Sequence, residues 1–278
     1  MRTDVIARRE APNEFRRLAQ IPPIMQFLIA ALVLAPLAGC AENTRLAKNI
    51  PLMDTFVRVE LRDAGNRKLA VGAIDEAINR MRKLAAQLDY KSGKCQETAD
   101  TRKVLNEAAR LKEMTEGAFD VNFEGGSEID LGGIAKGFIV DEGILVLKKH
   151  GIREAIINAG GDMYCMGKYR IGVRDPGRRR KIIAVLLARD KGIATSADYE
   201  RGAHIIDPRK GQAVIKPGKS VTVTAETCMR ADALATALYV MEPREGLSLI
   251  ETITGAECFI VDENGKTYVS GGLRLEEK

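Results

Sequence analysis

The segment Asp130-Leu131-Gly132-Gly133-Ile134-Ala135-Lys136-Gly137 is the stretch of the sequence that says most about the fold. Its three glycines are predicted to lie between the end of a strand and the start of a helix. Glycine at such a place lets a ligand approach the backbone closely, and the unpaired N–H groups of a helix start favour phosphate oxygens. The segment matches neither the G-x-x-x-x-G-K-[ST] loop nor G-x-G-x-x-G. A tight turn that packs a helix is therefore the alternative to a phosphate site.

Patterns on both sides of this segment indicate a mixed α+β protein. Upstream, apolar and charged residues alternate from Thr55 to Arg62, which predicts a half-buried strand. Apolar residues at helical spacing predict two amphipathic helices, over residues 71–88 and 104–114. Downstream, the predicted elements are a helix at 138–149, strands at 154–157, 168–173, 182–188 and 221–225, helices at 231–241 and 245–254, and a hairpin at 258–269 that turns at Asn264-Gly265.

A carboxylate and a hydroxyl interrupt the most apolar of these helices. In Ala231-Asp232-Ala233-Leu234-Ala235-Thr236-Ala237-Leu238, Asp232 and Thr236 are four residues apart and face the same direction. Such a pair is costly in an apolar wall unless something binds it. A hard cation held by oxygen ligands would do so, and Mg²⁺ with a phosphate substrate is the common case. The alternative is a structural pair, in which Asp232 favours the helix dipole and Thr236 bonds to the backbone.

The sequence contains only two histidines, His150 and His204, which nearly excludes a metal site built from imidazoles. His204 lies in Ala203-His204-Ile205-Ile206-Asp207-Pro208, at the entry to a predicted turn. A structural or exposed role there is the alternative to a catalytic one. His150 follows two lysines at a predicted helix end, where its interaction with the helix dipole explains it.

Two further segments carry small or polar residues at strand ends. Asn158 to Asp162 is a second Gly-rich strand exit, which is usually a turn. Ala194 to Tyr199 is a polar cluster after an apolar strand. It includes Ser196, but no G-x-S-x-G nucleophile elbow surrounds that serine.

The first 40 residues are typical of an export signal. Five arginines precede an apolar run from Phe27 to Leu34, and Leu37-Ala38-Gly39-Cys40 follows. The run is shorter than the roughly 20 residues that cross a bilayer as a helix. A small-residue site that ends in cysteine resembles the lipobox of bacterial lipoproteins, so residues 1–39 are predicted to be a signal peptide and Cys40 a lipidated N-terminus. The alternatives are an ordinary signal peptide and a start of translation at Met25.

The composition is that of an ordinary globular protein. The predicted mature chain, residues 40–278, is long enough for one sizeable domain or two closely joined halves, and a single domain is predicted. Apolar residues make up 45% of the 278 residues, and the formal net charge of +5 is spread along the chain. That distribution does not indicate a basic surface for binding nucleic acid. The remaining cysteines do not have zinc-finger spacing, and a domain of this size does not require a disulfide.

Six ordered motifs together resemble the ApbE-type FAD:protein FMN transferases. The similarity covers nearly all of the predicted mature chain from Met53 and is densest from residue 117 to residue 241. The motifs are DLGGIAKG at 130–137, NAGGD at 158–162, ATSADYE at 194–200, HIIDPRKG at 204–211, SVTVTA at 220–225 and ADALATAL at 231–238.

This resemblance implies a fold and an activity. The expected fold is an α+β, T-fold-like core with packed helices and mixed sheets. The expected reaction is Mg²⁺-dependent transfer of FMN from FAD to a Thr or Ser of a client flavoprotein, with release of AMP. The typical clients belong to membrane electron-transport complexes, which agrees with a lipid-anchored protein on the periplasmic side of the membrane.

The resemblance also implies roles for particular residues. The carbonyl of Gly133 and the side chains of Asp232 and Thr236 would hold Mg²⁺. His204 would help to activate the incoming hydroxyl, and Asp232 is the alternative base. The residues expected to contact FAD are Met53, Tyr90, Ala118, Phe119, Asp120, Asp130, Lys136 and Ile206.

Three departures from the family pattern are visible. Only nine residues separate Asp120 from Asp130, where family members usually carry a longer stretch that helps to cover the flavin. Met53-Asp54-Thr55 replaces the usual Met-Gly-Thr, and Ala197 replaces a usual Gly. Two other functions stay open at this point: an FAD-binding protein or FAD pyrophosphatase without a client, and a lipoprotein with a degenerate site.

Overall fold

The computed structural model describes residues 45–62, 65–88, 96–123, 129–178, 180–197 and 205–277. Cys40 and the predicted signal peptide at 1–39, together with Tyr90 and His204, lie outside the described residues. The predictions made for them stay predictions.

An eight-stranded sheet forms the centre of the fold, and every strand pair in the described ranges is antiparallel. The strand order is β1-β2-β3-β4-β5-β8-β9-β10, and β6 pairs with β7 in a separate ribbon. The strands are β1 Leu46–Leu52, β2 Thr55–Leu61, β3 Ala155–Ala159, β4 Asp162–Arg174, β5 Ile182–Ala197, β6 Ile206–Asp207, β7 Gln212–Ala213, β8 Ser220–Ala225, β9 Glu257–Val261 and β10 Thr267–Val269.

Five helices are described, and all five contribute buried residues to the main hydrophobic core on one face of the sheet. Alternate residues such as Val57 and Val59 of β2 point into this core, as expected for a strand with one buried face. None of the helices in the described ranges is both long and apolar enough to span a membrane. The helices are α1 Arg67–Leu88, α2 Ala99–Met114, α3 Ala135–Lys149, α4 Cys228–Val240 and α5 Pro243–Thr252.

Helix α4 is the most buried of these helices. It packs on β5 and β8 and also contacts α3. Nearly all of its residues are buried, which is typical of a helix that is apolar on every side. Asp232 is therefore a carboxylate within the core, where it is only 4% exposed.

Two tight hairpin turns meet at one end of the sheet. Met53-Asp54 joins β1 to β2 and Gly160-Gly161 joins β3 to β4, and all four residues have positive φ. Two-residue hairpins favour such turns because their twist matches that of the strands. A Cβ on Gly160 would lie 2.5 Å from Oγ1 of Thr55, so only glycine allows the two turns to approach this closely.

The predicted α+β class is confirmed, and the predicted helices and strands in the described ranges are present, with several differences. Strand β1 and the β6–β7 ribbon are elements that the sequence patterns do not predict. The polar residues up to Ala197 are the end of β5, because they pair with β8 and the hydroxyls of Thr195 and Thr222 are 2.9 Å apart. The strand expected just before Asp130 is not seen at residues 129–130, where the chain is irregular.

Lys219 fixes the C-terminal end of α4. Its ammonium is fully buried and donates hydrogen bonds to the carbonyl oxygens of Tyr239 at 2.7 Å and Met241 at 2.6 Å. A helix end leaves its last carbonyls without partners and favours a positive charge. Burial lowers the pKa of Lys219 to about 8.

Lys219→Met is expected to lower the free energy of unfolding by about 1–3 kcal/mol, because it leaves buried carbonyls unpaired. Between about pH 8 and the ordinary value of 10.5, the native lysine has released its proton while the unfolded chain retains it. The wild type should therefore gain stability over the variant as the pH rises through this range. Urea unfolding on either side of the range measures both effects.

Lys48→Met is the matched control, because Lys48 forms an exposed pair with Asp75 at 2.6 Å. Exposed pairs contribute little, so this variant should unfold like the wild type. Equal loss of stability in the two variants would contradict the assigned role of Lys219.

Candidate active site

A cavity of about 260 Å³ opens where the N-terminus of α3, the middle of α4 and the Gly160 turn meet. The end of β5 and the start of β6 complete its walls. The lining residues are Ala118, Phe119, Asp120, Phe123, Asp130, Gly132, Gly133, Lys136, Gly160, Asp162, Thr195, Ser196, Ala197, Ile205, Ile206, Pro208, Asp232 and Thr236.

Helices α3 and α4 are locked together beneath this cavity. The backbone N–H of Gly137 donates to Oδ2 of Asp232 at 3.1 Å. Both carboxylate oxygens of Asp141 accept backbone N–H groups at the start of α4, from Cys228 at 2.8 Å and Met229 at 2.9 Å. Burial raises the pKa of Asp141 to about 7, against the effect of those two hydrogen bonds. These contacts fix the distance between Asp232 and the N-terminus of α3.

A lysine lies between two buried carboxylates on the cavity wall. The Lys136 ammonium pairs with Oδ2 of Asp162, and it is 3.9 Å from Oδ1 of Asp232. Asp162 and Asp232 are 3% and 4% exposed. Buried charges are retained in proteins when they are paired. Among the described residues, Lys136 is a cation that lies next to both carboxylates.

Thr236 and the Gly-rich turn place further oxygen atoms beside Asp232. The Thr236 hydroxyl donates to the carbonyl oxygen of Asp232 at 3.1 Å, which leaves its lone pairs for another partner. Gly133 lies directly opposite, since a Cβ built on it would be 3.0 Å from Oγ1 of Thr236. The turn is held by Asp130, whose Oδ1 accepts the N–H of Gly132 at 2.7 Å.

The charge of the cavity limits what it can bind. Four carboxylates and one lysine line it among the described residues, from Asp120, Asp130, Asp162, Asp232 and Lys136. Asp120 pairs with Lys112 at 2.7 Å, and the other carboxylates would repel a pyrophosphate unless a cation lies between them. The chain's described part contains no group of three or more His, Cys, Asp or Glu suited to a metal ion. A cation site here would therefore combine the Asp232 carboxylate with hydroxyl and carbonyl oxygens, ligands that suit a hard cation.

The structure brings together nearly all the predicted site residues that it describes. Met53 is the exception, because it is buried in the main core at the β1–β2 turn and does not line the cavity. The predicted residues that line the cavity are Ala118, Phe119, Asp120, Asp130, Gly133, Lys136, Ile206, Asp232 and Thr236.

Two residues that organise the site are not predicted from the sequence. Asp162 ends the NAGGD segment, whose pattern indicates only a turn, and the turn is what delivers its carboxylate to Lys136. Asp141 lies inside an apolar helix and binds the start of α4. An acidic residue in an apolar helix can be noticed in the sequence, as Asp232 is. The partners of Asp141, however, are backbone groups, which no motif indicates.

Comparison with known proteins gives the following matches. A sequence model described as the ApbE family matches residues 122–260. The FAD:protein FMN transferase of Treponema pallidum is 30% identical over 173 residues, which cover 54% of this chain and 48% of that protein. The FAD:protein FMN transferase of Vibrio cholerae is 33% identical over 163 residues, covering 52% and 49%. The chain thus matches about half the length of these curated relatives.

Solved structures match over a larger share of the chain. The flavin transferase ApbE from Vibrio cholerae has a TM-score of 0.66 at 24% identity and covers 82% of this chain and 97% of that chain. The ApbE protein from Thermotoga maritima has a TM-score of 0.67 at 24% identity, with the same coverage of 82% and 97%. These similarities establish the shared fold and confirm the predicted ApbE-like architecture.

Proposed function

This chain belongs to the ApbE family, and from that premise we propose that it transfers FMN from FAD to a Thr or Ser hydroxyl of a client protein, with Mg²⁺ as cofactor. The observation that carries the proposal is the cluster formed by Lys136, Asp162 and Asp232 in the wall of the cavity. Its two carboxylates and its ammonium, next to the start of α3, suit a cation and an anionic diphosphate bound together.

The transfer is a phosphoryl-type substitution at the FMN phosphorus of FAD. The Oγ atom of the client forms a bond to that phosphorus, and the bond from phosphorus to the bridging oxygen breaks. AMP leaves with the electron pair, and the hydroxyl proton passes to a base. His204, outside the described residues, is proposed as that base, with Asp232 as the alternative.

Residues of the cavity wall have distinct proposed roles in this reaction. The Gly133 carbonyl, the Asp232 carboxylate and the Thr236 hydroxyl would hold Mg²⁺, which when bound neutralises charge that grows on the leaving phosphate. Lys136 would contact a phosphate oxygen while Asp162 holds its ammonium in place.

Other cavity residues would bind the rest of FAD. Ala118 and Phe119 supply an apolar wall, and Asp120 and Asp130 supply acceptors. Ile206 contributes from β6. Tyr90, outside the described residues, and Met53, which does not line the cavity, are proposed contacts on the family resemblance alone.

The proposed setting is the periplasmic side of the membrane, with a lipid anchor at Cys40. The proposed clients are flavoproteins of membrane electron-transport complexes. Both proposals rest on the leader sequence and on the family resemblance.

Incubation of the protein with FAD, Mg²⁺ and a client flavoprotein fragment tests this function. The expected result is a fluorescent client band in a denaturing gel, because a phosphoester-bound flavin survives denaturation. AMP should appear in equal amount to the labelled client. A reaction that releases FMN and AMP without a labelled client would instead identify an FAD pyrophosphatase, and absence of both products would reject catalysis.

A further inference from the structure

A second, larger cavity lies on the face of the sheet that the helices do not cover. It is a groove of about 750 Å³ that crosses β2, β3, β4, β5 and β8. Phe56 and Ile156 line it, while their neighbours Val57 and Ile157 belong to the core on the opposite face. A volume of this size is in the range of about 300–1,000 Å³ that holds a drug-sized ligand or a short peptide.

The groove adjoins the candidate active site. Gly160 and Thr195 line both the groove and the smaller cavity. The Gly160 turn and Thr195, whose hydroxyl is 2.9 Å from that of Thr222, therefore lie where the two cavities meet. A chain that lies in the groove can therefore place one side chain at the cavity where the phosphorus would be attacked.

The groove has an apolar floor with an exposed aromatic ring at its edge. Ile156, Ile171 and Ile193 contribute to the floor. Phe56 is 76% exposed, the largest exposed fraction among the large apolar residues of the described chain. Exposed aromatic side chains next to arginines are typical of the residues that dominate binding at protein interfaces.

Arginines line the rim of the groove. Arg58 pairs with Glu60 at 2.7 Å and Arg170 with Glu276 at 2.5 Å. Arg174 is exposed and forms no salt bridge with any other described residue. It begins the segment RDPGRRRK at 174–181, which has five basic residues and one acidic residue. Within this segment Arg178 and Lys181 pair with Asp175 at 3.2 Å and 3.9 Å, and Arg174 is the residue that lines the groove. Three arginines and one carboxylate, that of Asp54, thus line the groove among the described residues.

We propose that this groove is the docking site for an extended, acidic segment of the client protein, next to its acceptor hydroxyl. The proposal rests on the transferase function proposed above and adds what the client must look like. Acidic side chains of the segment would face Arg174 and its neighbours, while apolar side chains would cover the floor and Phe56. Complementary charge of this kind speeds association and selects partners.

The connection to the active site favours a client segment over other occupants. An anionic membrane surface would contact the hairpin tip but has no reason to enter a groove with an apolar floor. A second copy of the chain would bring another basic hairpin, which like charges oppose. An acidic client segment would pair with the arginines, cover the apolar floor and lie next to the active-site cavity.

The test uses two fluorescent peptides of equal length, each with a single Thr, flanked by Asp in one and by Lys in the other. Binding to the FAD-loaded protein is measured by fluorescence anisotropy at low salt. The Asp peptide should bind about tenfold more tightly than the Lys peptide, with a difference that shrinks at high salt. Arg174→Glu should reverse this preference, and Phe56→Ala should weaken both peptides.

Arg244→Glu is the matched control, because Arg244 is an exposed arginine on α5 and does not line the groove. It should leave the preference unchanged. FAD affinity is measured for every variant by flavin fluorescence. If the wild-type protein does not bind FAD, the proposed function is contradicted. If it binds FAD but prefers neither peptide, only the docking proposal is overturned. Weaker binding of Arg174→Glu to anionic vesicles, with unchanged peptide binding, would also overturn it.

Discussion

Asp232→Ala is expected to slow flavin transfer by about a hundredfold or more and to remove the dependence of the residual reaction on Mg²⁺. The carboxylate is the one charged ligand proposed for the cation, and it faces a cavity whose other proposed ligands are neutral oxygens. Its loss also removes one of the two carboxylates that lie next to Lys136, and with it negative charge that attracts a cation. Loss of electrostatic stabilisation of this kind costs about a hundredfold in rate or more.

The measurement is the rate of client labelling at increasing Mg²⁺ concentrations. Because Asp232 also accepts the N–H of Gly137, the alanine variant loses a buried hydrogen bond as well as a charge. Asp232→Asn separates these effects, since the amide oxygen keeps the hydrogen bond. The asparagine variant should fold like the wild type and still fail to label the client. Persistent, Mg²⁺-dependent labelling in either variant would place the metal elsewhere.

Thr236→Val gives a second measurement at the same site, because it removes only the hydroxyl. Thr252→Val on α5 is its matched control, since the Thr252 hydroxyl also bonds to a backbone carbonyl, that of Leu249 at 2.8 Å. Only the first variant is expected to require more Mg²⁺ for half-maximal labelling. The same response in both would show that the backbone bond is all that Thr236 contributes.

Residues that a local signal in one segment of the sequence singled out are brought together in the cavity. Asp232 and Thr236 stood out because polar side chains are costly in an apolar helix, and the cavity contains both. The glycines near residue 133 indicated a close backbone approach, which the structure has. Periodicity likewise predicted the helices and most strands, because burial of one face is a local pattern.

Long-range contacts could not be predicted in the same way. Asp162 reaches Lys136 only because a two-residue turn aligns β4 against β3 beside α3. The polar end of β5 is a strand because β8 pairs with it, and nothing in its own residues requires that. The groove combines residues from five strands, so no single segment of the sequence contains it.

Gly137→Ala is expected to cause the largest loss of stability of any substitution proposed for this protein. Gly137 lies within α3, where alanine is normally the better helix former. A Cβ at this position would lie 2.6 Å from the carbonyl carbon of Cys228 and 2.7 Å from Cα of Met229. These are backbone atoms at the start of α4, and the Asp141 bonds hold them in place, so they cannot move aside cheaply.

The helices must therefore separate, and overpacking of this kind costs about 3 kcal/mol or more when backbone has to shift.

Gly72→Ala is the matched control, because Gly72 is also inside a helix, α1, but a Cβ added there would meet no described atom within 4 Å beyond its own helix. That variant should gain up to about 1 kcal/mol. Thermal and urea unfolding measure whether the two variants change the free energy of unfolding in opposite directions. Because separation of α3 from α4 moves Lys136 away from Asp232, Gly137→Ala should also lose flavin transfer at temperatures where it remains folded. A Gly137→Ala variant as stable as the wild type would contradict the packing that positions the active site.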